Sequence, residues 1–394
     1  MENIKLQIKD VFTEIADGLE TGSFGKRTAV GITTLGSEIS ADNLRQGAFQ
    51  FAKDHPGVDV VLIGPVCPLP LPNLFCENAS TEEEQHKVME RLLDEGRIQA
   101  CVTQHYNFPI GVSTVGRVIT PGLGRNMMIA NTTGTSSPHR VESMVLNAVA
   151  GIITAKASGV EYPTVGILNV DGARKVEQAL QKLKDGGYEF QWVSSERADG
   201  GAIMRGNDVI LGTPDVMVTD SLTGNILMKV FSSFTTGGTY ESLGYGYGPG
   251  IGEGYDRVIL ILSRVSGIPV VSNALSYAAT IIRHDVLDIA KKEYALANKA
   301  GLKDILEGLK AQDKPKAEEE EIKAPPKEVV TENIAGIDIM ELEDAVKVLW
   351  KENIYAQSGM GCTGPIVQVS QANIKRAVEI LNANGYTGKP EHDC

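Results

Sequence analysis

A single thiol sits among glycines in Gly359-Met360-Gly361-Cys362-Thr363-Gly364-Pro365, and a strand-like run, Pro365-Ile366-Val367-Gln368-Val369, follows at once. A packing cysteine normally stands in an apolar run as a small hydrophobe. Cys362 instead stands where the backbone can bend tightly and approach a ligand closely. That setting suits a nucleophilic thiol, because the thiolate is the attacking species and nearby N–H dipoles lower its pKa. Spacing alone also fits a cysteine that happens to fall in a glycine turn.

The other cysteines are weaker rivals. The chain has 5, scattered and with no C-x-x-C pair, which argues against a disulfide framework and against a zinc or other metal site. Cys67 and Cys101 follow apolar runs and read as packing residues. Cys394 ends a polar tail from Lys389 and reads as a mobile thiol, whereas Cys76 has no clear setting.

Four places look ready for an anion. Thr219 and Asp220 end an apolar strand, and Ser221-Leu222-Thr223-Gly224-Asn225 open a helix, Ile226–Phe234, with Lys229 following. Hydroxyls, an amide and a lysine at one helix start suit a phosphate or an acyl carbonyl, although polar capping accounts for half of them. The turn Asn131–Pro138 is rich in hydroxyls, with Ser136 and Ser137 before a helix that Ser137 can cap and Pro138 can begin. Its free N–H groups can bind an anion, or the turn is simply a capped helix start. Gly36 and Ser37 follow a strand, and Asn273 with Ser276 sits at the start of a helix Ala274–Arg283. No histidine stands out as a base: His105 and His139 are candidates on location alone, and each reads more readily as a structural or surface histidine.

Strands alternating with amphipathic helices must position these groups. Arg27–Thr33 and Val58–Gly64 read as strands around a helix from Ala41 to Lys53 capped by Ser40. A helix follows at Thr81–Glu95, with strands at Ala100–Thr103, Met127–Ala130, Thr164–Val170, Asp215–Asp220, Arg257–Leu262 and Ile268–Ser272. This alternation predicts an α/β fold with a mostly parallel sheet covered on both faces. Ligands on such sheets bind at the carboxyl ends of strands. From Gly244 to Gly254 every second residue is glycine, which predicts a flexible lid or tongue, with a glycine hairpin as the alternative. Residues 1–26 read as an N-terminal helical extension, 27–310 as the α/β domain and 311–332 as a charged, Pro-containing linker. Residues 333–394 form a C-terminal segment too small for its own core, so its strand is expected to return to the main sheet.

Bulk properties narrow the partners. The 394 residues are 42% hydrophobic and 22% charged, with a net charge of −13 that disfavours a nucleic-acid backbone. No apolar run approaches the ~18 residues of a membrane helix, and the first residues lack a signal-peptide pattern, so the expected location is the cytoplasm.

Several stretches resemble a known family. Asp215-Val-Met-Val-Thr-Asp-Ser-Leu-Thr-Gly-Asn-Ile-Leu-Met-Lys229 resembles the V-x-D-G-F-x-G-N-x-x-L-K signature of phosphate acyltransferases of the PlsX type. Tyr162-Pro-Thr-Val-Gly-Ile-Leu-Asn169 resembles that family's P-x-V-G-L-L strand, and Gly364–Val369 with Ile374–Val378 its last strand and helix. The resemblance spans residues 27–310 and 355–385. It implies a Rossmann-like three-layer α/β/α fold, shared with isocitrate and isopropylmalate dehydrogenases, and inorganic phosphate as co-substrate.

The departures are informative. Ser221-Leu222 stand for Gly-Phe, Val369-Ser370-Gln371 replace a Gly-His-Gly, and both Cys362 and the linker are extra. With the Cys362 loop, these features are similar to the family of alpha subunits of component C of the glycine/sarcosine/betaine reductase complex. That resemblance implies a two-carbon unit delivered by selenoprotein A, held as an acetyl thioester on Cys362 and released by phosphate as acetyl phosphate. It also implies a ketoacyl-synthase-like component C beta subunit, a hetero-oligomer, anaerobic amino-acid fermentation and no covalently bound cofactor. N–H groups of Gly361, Thr363 or Gly364 would then take up the oxyanion charge. Phosphate would bind at Asp220–Asn225 or Ser136–Ser137, and, being anionic already, needs no strong base. Two alternatives remain open: a stand-alone phosphate acyltransferase using a soluble acyl thioester, and a non-catalytic scaffold subunit.

Overall fold

The computed structural model describes residues 12, 15, 27–66, 70–196, 200–312, 322–338, 341–361, 364–386 and 389–391. Nearly all of the expected N-terminal extension, and residues 313–321 of the expected linker, lie outside this set. The chain divides into two units, residues 1–168 with 183–302, and residues 169–182 with 303–394.

The first unit is built on one sheet. In chain order its strands are β1 (Thr28–Thr33), β2 (Val58–Gly64), β3 (Leu74–Asn78), β4 (Ala100–Thr103), β5 (Val112–Ile119) and β6 (Asn126–Thr135). Then come β7 (Thr164–Leu168), β8 (Gln191–Trp192), β9 (Ile203–Met204), β10 (Val216–Val218), β11 (Gly248–Ile251) and β12 (Ile259–Ile261). Across the sheet the order is β3-β2-β1-β4-β12-β11-β5-β6-β10-β7-β8, and β9 also pairs with β7. All pairs are parallel except β12–β11, β11–β5 and β5–β6. Those three reversals leave the two parallel flanks, β3 to β12 and β6 to β8, running in opposite senses.

Side-chain alternation shows the layers. Val216 and Ala130 point toward helix Arg140–Ala157, where Gly151 leaves them room. Their neighbours Met217 and Ile129 point the other way, into a cluster with Met228 of helix Ser221–Ser233. Helices therefore cover both faces, giving a three-layer α/β fold. On the other flank the expected Ser40 cap is present, its hydroxyl accepting from Asn43 N, and Thr81 caps helix Glu82–Asp94 in the same way. No helix among the described residues is long and apolar enough to cross a membrane.

Two expectations in this unit are corrected. Gly244–Gly254 is no lid, since β11 lies in its middle, buried in the centre of the sheet. A Cβ at Gly248 would lie 1.7 Å from the Val115 carbonyl oxygen, so glycine here permits close packing. Ile268–Ser272 is not a strand but the start of a continuous helix, Ile268–Arg283. Pro269 suits that first turn, and the β-branched Val270 and Val271 begin a buried face that continues through Ala274 and Leu275.

The second unit overturns the expected return to the main sheet. Its strands β13 (Glu332–Ala335), β14 (Ala356–Gly361), β15 (Gly364–Val369) and β16 (Lys389–Glu391) form a separate antiparallel sheet, ordered β14-β15-β13-β16. It also has its own core, in which Ile334, Val367 and Val369 pack with Leu342, Leu349 and Leu381. The physical reason is that helices Leu342–Lys351 and Ile374–Ala383 each offer an apolar face to the short strands.

Candidate functional site

β6 and β10 are parallel neighbours, with Val218 opposite Ala130, so the turns that follow them open side by side. Asp220 caps helix Ser221–Ser233, accepting from Thr223 N at 3.0 Å and from Thr223 Oγ1 at 2.8 Å. Gly224 is needed because a Cβ there would lie 1.8 Å from the Asn131 carbonyl oxygen. Asn225 donates to the Thr132 carbonyl at 3.1 Å, which fixes the helix start against the end of β6.

After β6 the chain passes through the buried Ser136 and Ser137. Ser136 Oγ donates to Asn147 Oδ1 at 2.6 Å, and Asn147 Nδ2 donates to the Thr219 carbonyl at 3.2 Å. Ser137 Oγ donates to Glu142 Oε2 at 2.9 Å and accepts from His139 N at 3.1 Å. The following helix therefore starts at Arg140, later than the expected Ser137 cap and Pro138 start, and no side chain caps it. Holding the Ser137 hydroxyl to Glu142 and His139 is what displaces the start.

Arg140 reaches from that helix to Asp220, with Nη2 3.1 Å from Oδ2. Burial pushes the Asp220 carboxyl up, but hydrogen bonds from Thr223 and the charge of Arg140 outweigh it and hold the pKa below the usual range. Two helix N-termini thus meet around a guanidinium and two carboxyl groups, Asp220 and Glu142. The first N–H groups of each helix have no intrahelical acceptor, and the ends carry partial positive charge. Thr219 Oγ1, wholly buried, has no hydrogen-bond partner among the described residues. Such an arrangement can hold a phosphate-like anion.

The structure therefore brings Ser136, Ser137, Asp220, Ser221, Thr223, Gly224 and Asn225 to one place. Sequence reasoning missed Arg140, whose only signal is a cation just beyond a hydroxyl-rich turn.

Other expected residues lie elsewhere. Gly36 and Ser37 follow β1, five strand spacings from β6, or roughly 24 Å at ~4.8 Å per spacing, on the flank of opposite sense. Ser37 Oγ closes its own turn, accepting from Ile39 N and Ser40 N. Asn273 donates to the Gly244 carbonyl at 3.1 Å. Lys229 is about 12 Å along its helix from Ser221, and its Nζ lies 5.7 Å from the centre of the Tyr247 ring. His105 is exposed beside His86, their rings 6.3 Å apart, and His139 is exposed at its helix start.

Gly361, the last residue of β14, and Gly364, the first of β15, are register partners. Cys362 and Thr363, between them in the chain, lie outside the described residues, as do Cys67 and Cys394. Cys101 is fully buried in β4, and burial pushes its thiol far up, which suits packing and not nucleophilic attack.

A family model described as "fatty acid synthesis protein" matches residues 28–368, a span that takes in both the β6–β10 turns and the β14–β15 pair. The chain belongs to this fatty acid synthesis protein family. Within that family it is 60% identical over 385 residues to the glycine/sarcosine/betaine reductase complex component C subunit alpha of Peptoclostridium acidaminophilum, covering 98% of this chain and 99% of that one. It is 27% identical over 235 residues to a phosphate acyltransferase of Thermotoga petrophila, covering 52% of this chain and 67% of that one. Among solved structures, a branched-chain phosphotransacylase from Enterococcus faecalis V583 matches with a TM-score of 0.46 and 16% identity, over 65% of this chain and 99% of that one.

Proposed function

We propose that this chain forms acetyl phosphate as the alpha subunit of component C in a glycine/sarcosine/betaine reductase complex. One observation carries the reading: 60% identity along 98% of the chain to a relative of that name. The more distant likeness to phosphate acyltransferases supports the chemistry, which joins an acyl group to phosphate. Cys362 is the acetyl carrier, and N–H groups of Gly361, Thr363 and Gly364 stabilise the oxyanion. Arg140, Ser136, Ser137 and the Asp220–Asn225 turn take up phosphate. A phosphate oxygen attacks the thioester carbonyl carbon. The new C–O bond forms as the C–S bond breaks, and the products are acetyl phosphate and the Cys362 thiolate. Phosphate is the co-substrate, and the partners are a ketoacyl-synthase-like beta subunit and a selenoprotein that delivers the two-carbon unit.

The test is arsenate-dependent hydrolysis of acetyl phosphate by the purified chain. Cys362→Ser should abolish it while leaving the circular dichroism spectrum unchanged, and mass spectrometry of the wild type should find an acetyl group on Cys362. Full activity in the serine variant, or no acetyl group, sinks the assignment. The phosphate acyltransferase kinship also favours a second reading, a stand-alone enzyme with Cys362 incidental. Robust turnover of acetyl-CoA and phosphate by Cys362→Ser would select it.

A further inference from the structure

β14 is an edge strand, since the small sheet runs β14-β15-β13-β16. An open edge offers unpaired N–H and C=O groups to any extended chain, and proteins blunt it with charge, proline or brevity. The other strands at sheet edges are blunted in these ways. β16 is Lys389-Pro390-Glu391, β8 and β9 have two residues each, and Glu77 of β3 is paired with Arg91 and Arg97. β14, Ala356-Gln357-Ser358-Gly359-Met360-Gly361, has six residues with neither a charge nor a proline.

Register shows which groups this edge presents. Along an antiparallel strand, alternate residues point their N–H and C=O groups at the neighbour and away from it. Ala356, Ser358 and Met360 lie opposite Val369, Val367 and Pro365. The Val369 carbonyl accepts from Thr331 N at 3.0 Å, so it faces the β13 side and not β14. Pro365 has no N–H to give Met360. Trp350 Nε1 donates to the Ala356 carbonyl at 3.0 Å, from outside the ladder. All three signs turn the backbone groups of Ala356, Ser358 and Met360 outward. The Trp350 indole satisfies the first carbonyl, and among the described residues nothing takes up the N–H and C=O of Ser358.

Charge selects the occupant. Ser358 Oγ donates to Glu343 Oε1 at 2.6 Å, on the side of the sheet that helix Leu342–Lys351 covers. Glu343 is exposed and no cation pairs with it among the described residues, because Lys347, one turn on, pairs with Asp344. Directly opposed residues of neighbouring strands share a face, so a residue seated opposite Ser358 extends its side chain toward Glu343. A second copy of this chain fits badly. A two-fold β14–β14 contact about Ser358 would bring two Glu343 carboxylates together in a chain already at −13. We propose that β14 is a docking edge for an extended, basic segment of a different polypeptide. That segment adds a strand by exchanging both backbone hydrogen bonds with Ser358, and it sets a lysine or arginine against Glu343. Cys362 follows Gly361, the last residue of β14, so the docked protein is brought to the acyl carrier. That consequence rests on the proposed function; the docking does not.

A capped, labelled heptapeptide, Thr-Val-Thr-Lys-Thr-Val-Thr, tests this by fluorescence anisotropy with the full chain. The wild type should bind it saturably. Replacing the central lysine by glutamate should weaken binding ~3–30-fold, because a like-charged pair then stands across the strands, and Glu343→Lys should reverse the preference. Ser358→Pro removes an outward N–H and no bond to β15, so the melting temperature should hold while binding falls ~10-fold or more. Ser358→Ala keeps that N–H and should still bind. No saturable binding, undiminished binding by a folded Ser358→Pro, or a preference that Glu343→Lys fails to reverse would each overturn the proposal. The charge reversal decides the case even where the proline variant fails to fold. Self-association of the wild type that Ser358→Pro abolishes would give the edge to a second copy and overturn it as well.

Discussion

Arg140→Gln separates a ligand-binding arginine from a structural one. The side chain of Arg140 is 47% exposed and that of Asp220 17% exposed, with 3.1 Å between them. A pair this open to solvent contributes only ~0–1 kcal/mol to folding. In a chain of this size that is a melting shift of a few degrees at most, at about 2–4 °C per kcal/mol. A charge-assisted hydrogen bond to a bound phosphate is worth more, ~1.5–3 kcal/mol, or roughly 10–150-fold in half-saturating concentration. Arg140→Gln should therefore raise the arsenate concentration for half-maximal acetyl phosphate hydrolysis by that factor and barely move the melting temperature.

Asp220→Asn supplies the opposite sign. An asparagine oxygen can still accept from Thr223 and keep the helix cap, but the negative charge that competes with phosphate for Arg140 is gone. Half-saturation should fall. If both variants shift it in the same direction, or Arg140→Gln leaves it unchanged, the phosphate role of Arg140 is refuted.

Further outcomes follow from packing and titration. Gly224→Ala should cost ~1–3 kcal/mol or more by calorimetry, because its Cβ would meet the Asn131 carbonyl at 1.8 Å. Gly206→Ala, with nothing within 4 Å of the new Cβ, should be neutral or slightly stabilising, and equal losses at both sites would defeat the packing argument. Asp208→Ala should cost about 3 kcal/mol or more, since Ser195 Oγ, Glu196 N, Arg205 N and Thr213 Oγ1 all donate to that carboxylate. Burial pushes the Asp208 carboxyl up, but those bonds outweigh it and hold its pKa below the usual range. Its stabilisation is therefore present above the unfolded-chain aspartate value and is lost as pH falls through the folded one. Asp208→Asn should show a shallower acid limb in melting temperature against pH. Glu241 has the reverse sign, because burial raises its carboxyl against the hydrogen bonds from Tyr247 and Ser266. Wild-type stability should fall relative to Glu241→Gln as pH rises from the unfolded-chain glutamate value through the raised folded one, and a constant difference would refute it.

Local signals were legible and distant ones were not. The β1–β2 flank could be read because β-branched runs flank a helix whose Ser40 cap is adjacent in sequence. The helix start at Ser221–Asn225 was legible for the same reason. Arg140 was not, because its contact with Asp220 spans 80 residues. β5 and the second half of β6, beyond the Met127–Ala130 run, were hidden by buried hydroxyls. Thr114 and Thr132 are polar by sequence, yet they satisfy one another at 2.6 Å, and Thr132 also donates to the Tyr247 carbonyl at 2.8 Å. Glycine misled at β11, where dense glycine records how closely Val115 and Phe108 approach.

Hydrogen-bond satisfaction separates the two clusters of polar turns as places for the proposed phosphate site. Both flanks end in turns of the sort that bind anions in α/β proteins. At β1 the polar groups already answer one another. Leu35 N donates to Gln85 Oε1 at 3.0 Å, Gln85 Nε2 donates back to the Leu35 carbonyl at 3.2 Å, and Arg264 lies 3.4 Å from Glu82. At β6 and β10 the ledger of hydrogen bonds stays open. Among the described residues Thr219 Oγ1 is buried without a partner, and helix Arg140–Ala157 begins without a side-chain cap. Buried polar groups are normally satisfied, so the unmet Thr219 hydroxyl beside an uncapped helix start supports the proposed phosphate site. In a chain of net charge −13, phosphate approaches against the overall field. On the proposed function it needs a local patch, and at β6 and β10 a guanidinium and two helix ends stand against the carboxyl groups of Asp220 and Glu142.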